Sequence, residues 1–422
     1  MESALSEKPV RPQPRRLADW SNPAGARKVH SLVDKVDTSK NLQLAWERVK
    51  ANRGAGGMDG ETLQRFEARL DAQLKRLHEA LRTKPYQPQP VRQVLIPKPG
   101  KAGERRPLGS PTIVDRVGQQ ALVNRLEPIF EPEFDEANFG YRKGRSAHEA
   151  LRKVWREIAG GGAWSVDADL NDCFGTVDHA KLMTLVARTV ADGRVLRLVA
   201  SSLQAGCYVD GRLCPTRRGT PQGGVVSPLL SHIRLTPFDG ELRRRGYQLT
   251  RYADDWVVTC RTRAEAERAL GAARKILEPL GVRINPVKTR IAHVRYGLEC
   301  LGDVIKRGTQ PLRLKAAQIK SRRQQGALSA YPTGHSIRRF KDRVRQLTKR
   351  AVPLPTEGMI EELNPPSSED GVRTTVGPMS AGSSTGSIGG LCGVCGHTGT
   401  NAGAIRAGAS SPNIVVSGNW GV

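Results

Sequence analysis

Long apolar runs are missing from this sequence. None approaches the about 20 residues that a membrane-spanning helix needs, and no signal-peptide pattern opens the chain. No membrane partner is therefore expected. Cysteine is scarce and odd in number, seven in 422 residues, scattered except for Cys392 and Cys395. That argues against a disulfide framework and predicts reduced thiols in a cytoplasm. Acidic residues are outnumbered, 41 against 67 Lys and Arg, for a formal charge of +26. Such an excess is more than solubility requires. It predicts a polyanionic partner, because each phosphate neutralised releases counterions. The length allows two or three domains with real cores.

What is present is organised around Arg251-Tyr252-Ala253-Asp254-Asp255-Trp256. Tyr247 to Tyr252 leads in and Trp256 to Cys260 leads out, both rich in β-branched and aromatic residues. The pattern predicts a hairpin with two adjacent carboxylates at its tip. Like charges repel, and a divalent cation removes the conflict, since Mg²⁺ prefers carboxylate oxygens and keeps sites open for phosphate. So short a pattern also fits a solvated acidic turn. It needs a third carboxylate from another strand.

Asp169 is that partner. Trp164, Val166 and Ala168 alternate with Ser165, Asp167 and Asp169, the period of a half-buried strand. A tight passage, Leu170-Asn171-Asp172-Cys173-Phe174, then leads to a helix expected to start near Asp178.

Three stretches, taken together, are more specific. Asp169 to Phe174, then Gly219-Thr220-Pro221-Gln222-Gly223-Gly224-Val225-Val226-Ser227-Pro228-Leu229-Leu230, then Tyr252 to Asp255 resemble three successive blocks of a reverse transcriptase. Their order and spacing are similar to those of bacterial group II intron-encoded reverse transcriptases, also called intron maturases. The resemblance runs from about Leu42 to about Pro365. It implies an α+β, right-hand polymerase: fingers, a palm with an antiparallel sheet, and a helical thumb. The expected divisions are a disordered basic start over 1–27, an N-terminal extension and fingers over 28–160, the palm over 161–305 and the thumb over 306–365.

The same resemblance implies the site. Asp169, Asp254 and Asp255 would be catalytic and would hold two Mg²⁺ ions, with the Leu170 carbonyl as an extra ligand. Phe174 would lie beneath the incoming sugar and exclude a ribose 2′-hydroxyl. Gln222 would contact the nascent pair. The basic turn Lys98 to Arg106 would clamp the dNTP triphosphate by charge-assisted hydrogen bonds, with Lys98 and Arg106 the best matches; Ser110 stands where the family usually has an apolar residue. Lys288 would offer a proton to the leaving pyrophosphate. Asn138 to His148 is close to a glycine-rich family block, with Tyr141 and Lys143 substituted, and Arg142 and Arg145 would hold phosphates. No catalytic role is expected for His148. Ser146 would cap the following helix. His232 replaces a usual Asn and is not expected to reach the chemistry. Cys300 stands where an aromatic is usual in the primer-grip hairpin. A basic helix over Ser336–Arg350, with Arg338, Arg339 and Arg343, would bind a duplex backbone.

The implied partners are intron RNA as template, a DNA or RNA primer, and dNTPs, with no stable protein partner expected. The alternative is an RNA-binding splicing cofactor with an idle polymerase. An RNA-templated RNA polymerase is disfavoured by Phe174.

The composition then breaks. Residues 366–422 hold thirteen glycines and four charged residues, Glu369, Asp370, Arg373 and Arg406. The basic, aromatic domain with which family members continue is absent in this frame. Permitted codons for Ser368–Val376 and Cys395–Ala404, read in one shifted frame, allow such a sequence. A one-base slip near Pro365 and a disordered tail are the expectation. Resequencing that finds no alternative open frame would contradict the slip. Cys392, Cys395 and His397 form an incomplete zinc set, and no metal is expected there.

Overall fold

The computed structural model describes residues 28–308 and 328–347, apart from residues 84, 98–102 and 210. Lys98, the expected disordered start and the tail with its proposed frame slip lie outside these residues, as does most of the expected thumb. Among the described residues no helix is long and apolar enough to cross a membrane.

The fold is α+β, built on three small sheets. The one that matters most runs β6-β7-β3-β8, all antiparallel. Its strands are β3 (Trp164–Asp169), β6 (Gln248–Tyr252), β7 (Asp255–Cys260) and β8 (Arg290–His293). Alternation decides which way each side chain points. Val166, Ala168, Trp256, Val258 and Cys260 pack on α9 (Ser227–Arg244) and α10 (Arg263–Leu277), against Phe238, Leu242, Ala269 and Leu277. Val257 points the other way, into a cluster with Leu151, Val154 and Ile158 of α6 (Ala147–Ala159). The sheet is thus covered on both faces, and Ser165, expected on an open face, is buried.

A second sheet, β2-β1-β4-β5, combines β1 (Val91–Pro97), β2 (Arg105–Ser110), β4 (Cys207–Val209) and β5 (Arg212–Cys214). Only β1 with β4 is parallel in it. The third is β11-β10-β9, from β9 (Leu298–Cys300), β10 (Asp303–Arg307) and β11 (Leu328–Pro332). Helices α1 (Val33–Val36), α2 (Ser39–Ala51), α3 (Leu63–Glu67), α4 (Leu70–Thr83), α5 (Ile113–Phe130), α7 (His179–Thr189) and α8 (Gly193–Gln204) enclose a separate apolar core around Trp46, Leu122 and Phe130. The helix α11 (Gly334–Leu347) follows β11.

Capping chemistry sets several boundaries. The Ser146 hydroxyl accepts from the Glu149 amide, and Glu149 accepts from the Ser146 amide, a full capping box. Asp178 accepts from the Lys181 amide at 3.1 Å and opens α7 where expected. Thr262 caps α10 through the Glu265 amide, but the Glu265 carboxylate returns to the Arg261 amide, one residue early. Near the start of the described residues, α1 and α2 are parted at Asp37–Thr38, and α3 and α4 at Ala68–Arg69.

Candidate active site

Tyr252 pairs with Asp255 across the β6–β7 hairpin. Ala253 and Asp254 are therefore the whole turn, with Ala253 in the left-handed region at φ +57°. Asp169 ends β3 directly opposite Asp255. The next amide, that of Leu170, donates to the Asp254 carbonyl at 3.2 Å. Three carboxylates from two adjacent strand ends are thus brought together, as the sequence pattern required.

Their electrostatics are those of a site short of positive charge. Asp254 is raised above the ordinary carboxylate range by burial first and by the charge of Asp169 second. Asp255 is pushed up to about 7 by desolvation in its crevice, then by Asp254 and Asp169. Asp169 is buried, and its Oδ1 has no hydrogen-bond partner. Its Oδ2 accepts from the Lys288 ammonium, and that bond raises Lys288. The Lys288 loop is clasped to the strand end by Asn285. The Asn285 amide donates to the Asp169 carbonyl at 2.9 Å, and its Oδ1 accepts from the Val287 and Lys288 amides.

An orphaned buried carboxylate oxygen beside a second raised carboxylate is a donor set suited to a hard divalent cation. Among the described residues no three acidic, His or Cys side chains already form a finished cage. Asp254 lines one cleft, whereas Asp255 lines the neighbouring crevice with Asp167, Arg290 and Arg338. Asp169 and Asp254 are the pair that fits best.

The Asp254 cleft has a volume of about 720 Å³ and is also lined by Phe174, Gln222, Arg106 and Leu108. The Phe174 carbonyl accepts from the Thr220 amide at 2.8 Å, and the Gln222 carbonyl accepts from the Gly109 amide at 2.6 Å. The Gly219–Gly224 turn is thereby sewn to both walls. Gly223 has φ +105°, and a Cβ there would lie 2.5 Å from the Gly109 carbonyl oxygen. Only glycine lets the turn sit that close to β2.

Residues 96–320 match the family described as "Reverse transcriptase (RNA-dependent DNA polymerase)". The chain belongs to the reverse transcriptase family. It is similar to protein YkfC of Escherichia coli K12, 33% identical over 329 residues that cover 68% of this chain and 86% of that one. It is 36% identical over 198 residues to the group II intron-encoded protein LtrA of Lactococcus lactis, covering 46% of this chain and 32% of LtrA. An uncharacterized 91 kDa protein in the cob intron of Schizosaccharomyces pombe is 34% identical over 200 residues, covering 46% of this chain and 24% of that protein. The matched region thus spans about a third or less of the two intron proteins. Enzymes of this family work on RNA-directed DNA synthesis and generally use divalent metal ions, which accords with the carboxylates.

One expected phosphate ligand of this reverse transcriptase is corrected. Arg142 is buried. Its Nε and Nη2 donate to Glu131, and its Nη1 donates to the Asp135 and Asn138 carbonyls. Held by four hydrogen bonds inside the fold at the wall of the Asp254 cleft, it is a structural arginine. Arg145 differs: it stacks over Phe139 at 5.3 Å and lines a groove with Arg152 and Arg156. Arg338, Arg339 and Arg343 lie on an exposed face of α11. Cys300 is buried rather than open to a primer.

His232 is nearer the site than its sequence position suggested. It lines the same cleft as Asp254. Its Nδ1 is 2.9 Å from Asn138 Nδ2, and burial holds it well below the usual imidazole range, so it is neutral. Asn138 itself bridges Arg251 beside the turn.

Gly140 sits under that turn. A Cβ added to it would lie 2.4 Å from the Ala253 nitrogen and 3.1 Å from the Tyr252 carbonyl carbon. Both are backbone atoms, so the turn itself must shift. Gly140→Ala is expected to cut the extension rate by about 100-fold, the scale of a 1 Å misplacement, with RNA binding kept. An unchanged rate in primer extension would show that the turn tolerates the movement.

Proposed function

We propose that this chain copies RNA into DNA for a group II intron and binds that intron's RNA. The observation that carries the reading is the meeting of Asp169, Asp254 and Asp255 at adjacent strand ends, beside a cleft walled by Phe174 and Gln222. Residues 28–160 are read as N-terminal extension and fingers, 161–305 as palm and 306–365 as thumb.

Two Mg²⁺ ions would be held by Asp169, Asp254 and the Leu170 carbonyl, with Asp255 at the margin, and would supply a more acidic primer 3′-hydroxyl and neutralised phosphate charge. The rest is work for the protein's own residues, and it is positioning and charge stabilisation. Arg106, with Lys98, would donate charge-assisted bonds to the triphosphate. Phe174 would sit beneath the sugar and occupy the space of a 2′-hydroxyl. Gln222 would touch the nascent pair. Lys288, bonded to Asp169 here, would bring a proton towards the leaving pyrophosphate. Arg145 and the arginines of α11 would track the template and primer backbones.

The runner-up reading is a splicing cofactor that binds RNA without synthesis. Primer extension on an RNA template, with RNA binding measured beside it, separates the two. Binding without extension would favour the cofactor.

A further inference from the structure

Arg251 precedes the Tyr252–Asp255 turn, and the scheme above gives it no work. Its side chain has no exposed surface, and that of Asp239 on α9 has 1%. Arg251 Nε donates to Asp239 Oδ1 at 2.7 Å, and Nη2 donates to Oδ2. Two parallel bonds fix the plane of the guanidinium. The remaining nitrogen, Nη1, donates to the Ala253 carbonyl at 2.9 Å. Ala253 is the residue held at φ +57°, a conformation that alanine avoids unless its surroundings impose it. The bonded carbonyl belongs to the peptide that leads into Asp254.

The arginine backbone is anchored as well. Its amide donates to the Ala137 carbonyl at 2.7 Å, and its carbonyl accepts from the Phe139 amide at 2.8 Å. A buried ion pair is weak evidence for stability, because apolar residues of similar volume often serve as well. Here the pair has something else to do, since its third bond ends on the turn.

We propose that Arg251 and Asp239 form a positioning pair. Asp239 holds the guanidinium in plane, and the guanidinium holds the Ala253–Asp254 peptide so that the Asp254 carboxylate faces Asp169. This inference rests on the metal-site reading of Asp254 given above.

The test removes the pair without leaving an unpaired charge. Asp239→Leu combined with Arg251→Met is expected to fold and melt near the wild type and to bind RNA equally well. Its kcat should fall by about 100-fold, while KM for dNTP stays within about threefold, the split expected when alignment alone is lost. The Mg²⁺ concentration for half-maximal rate should rise. Arg251→Lys is the second variant. It keeps a charge for Asp239, but one ammonium does not reproduce a fork aimed at three oxygens. Its kcat per RNA-binding molecule should also fall, and this variant decides the matter if the double variant does not fold.

A double variant as fast as the wild type would overturn the proposal. So would a loss in Arg251→Lys that vanishes when rates are expressed per RNA-binding molecule. The wild type and Asp254→Asn are run alongside. If the wild type fails to extend, the polymerase reading fails. If it extends and the double variant keeps its rate, only the positioning pair fails.

Discussion

Phe174→Ala should let this enzyme add ribonucleotides. Phe174 is half-buried and lines the Asp254 cleft, and its carbonyl is tied to the Thr220 amide. The backbone bond does not depend on the ring, so alanine should leave the turn in place and remove only bulk. The preference for dNTP over rNTP, measured as a ratio of kcat/KM values, should drop by about 100-fold, in the range that a missing apolar wall provides. Most of the change should come from faster rNTP addition. An unaltered ratio would remove Phe174 from sugar selection.

Asp254→Asn should have the largest effect on rate, a loss of roughly a thousand-fold or more, the upper range for removing one preorganised stabilising group. It should also raise the metal-free melting temperature. The sign follows from the raised pKa. A carboxylate whose folded pKa lies above its unfolded value favours the fold when protonated. That contribution is lost as pH rises through the folded pKa. At neutral pH the charge on half-buried Asp254, beside Asp169, opposes folding. A neutral amide of the same size removes this penalty and with it the means to hold a cation. Greater stability with lost synthesis is a trade expected at a functional site. A lower melting temperature would mean that Asp254 is paired in some way that the structure does not show.

Much of this site was legible in the sequence because its signals are local. The alternation Trp164 to Asp169 marked β3, and the paired apolar runs around Asp254 marked the hairpin. Ser146 and Asp178 marked their helices through caps that need only three residues. Arg142 was misleading for the opposite reason. An arginine among glycines has the chemistry of a phosphate ligand, and nothing local reveals that Glu131 and two carbonyls hold its guanidinium. Arg251 was overlooked in the same way. Its partner Asp239 lies on the preceding helix, and only the packing of α9 on β6 brings them together. The role of His232 as a cleft wall depends on Asn138, 94 residues earlier. The parallel contact of β1 with β4 joins strands more than a hundred residues apart in sequence. What could be read beforehand was the cluster of carboxylates; what could not was the buried polar support beneath it.

The most direct test is extension of a labelled DNA primer on a defined RNA template, with dNTPs and Mg²⁺, by the wild type and by Asp254→Asn. Template-directed extension by the wild type, lost in the variant while RNA binding persists, is the result predicted here. Equal extension by both proteins, or none by a wild type that still binds the RNA tightly, would contradict the assignment of Asp169 and Asp254 as the centre of a working polymerase.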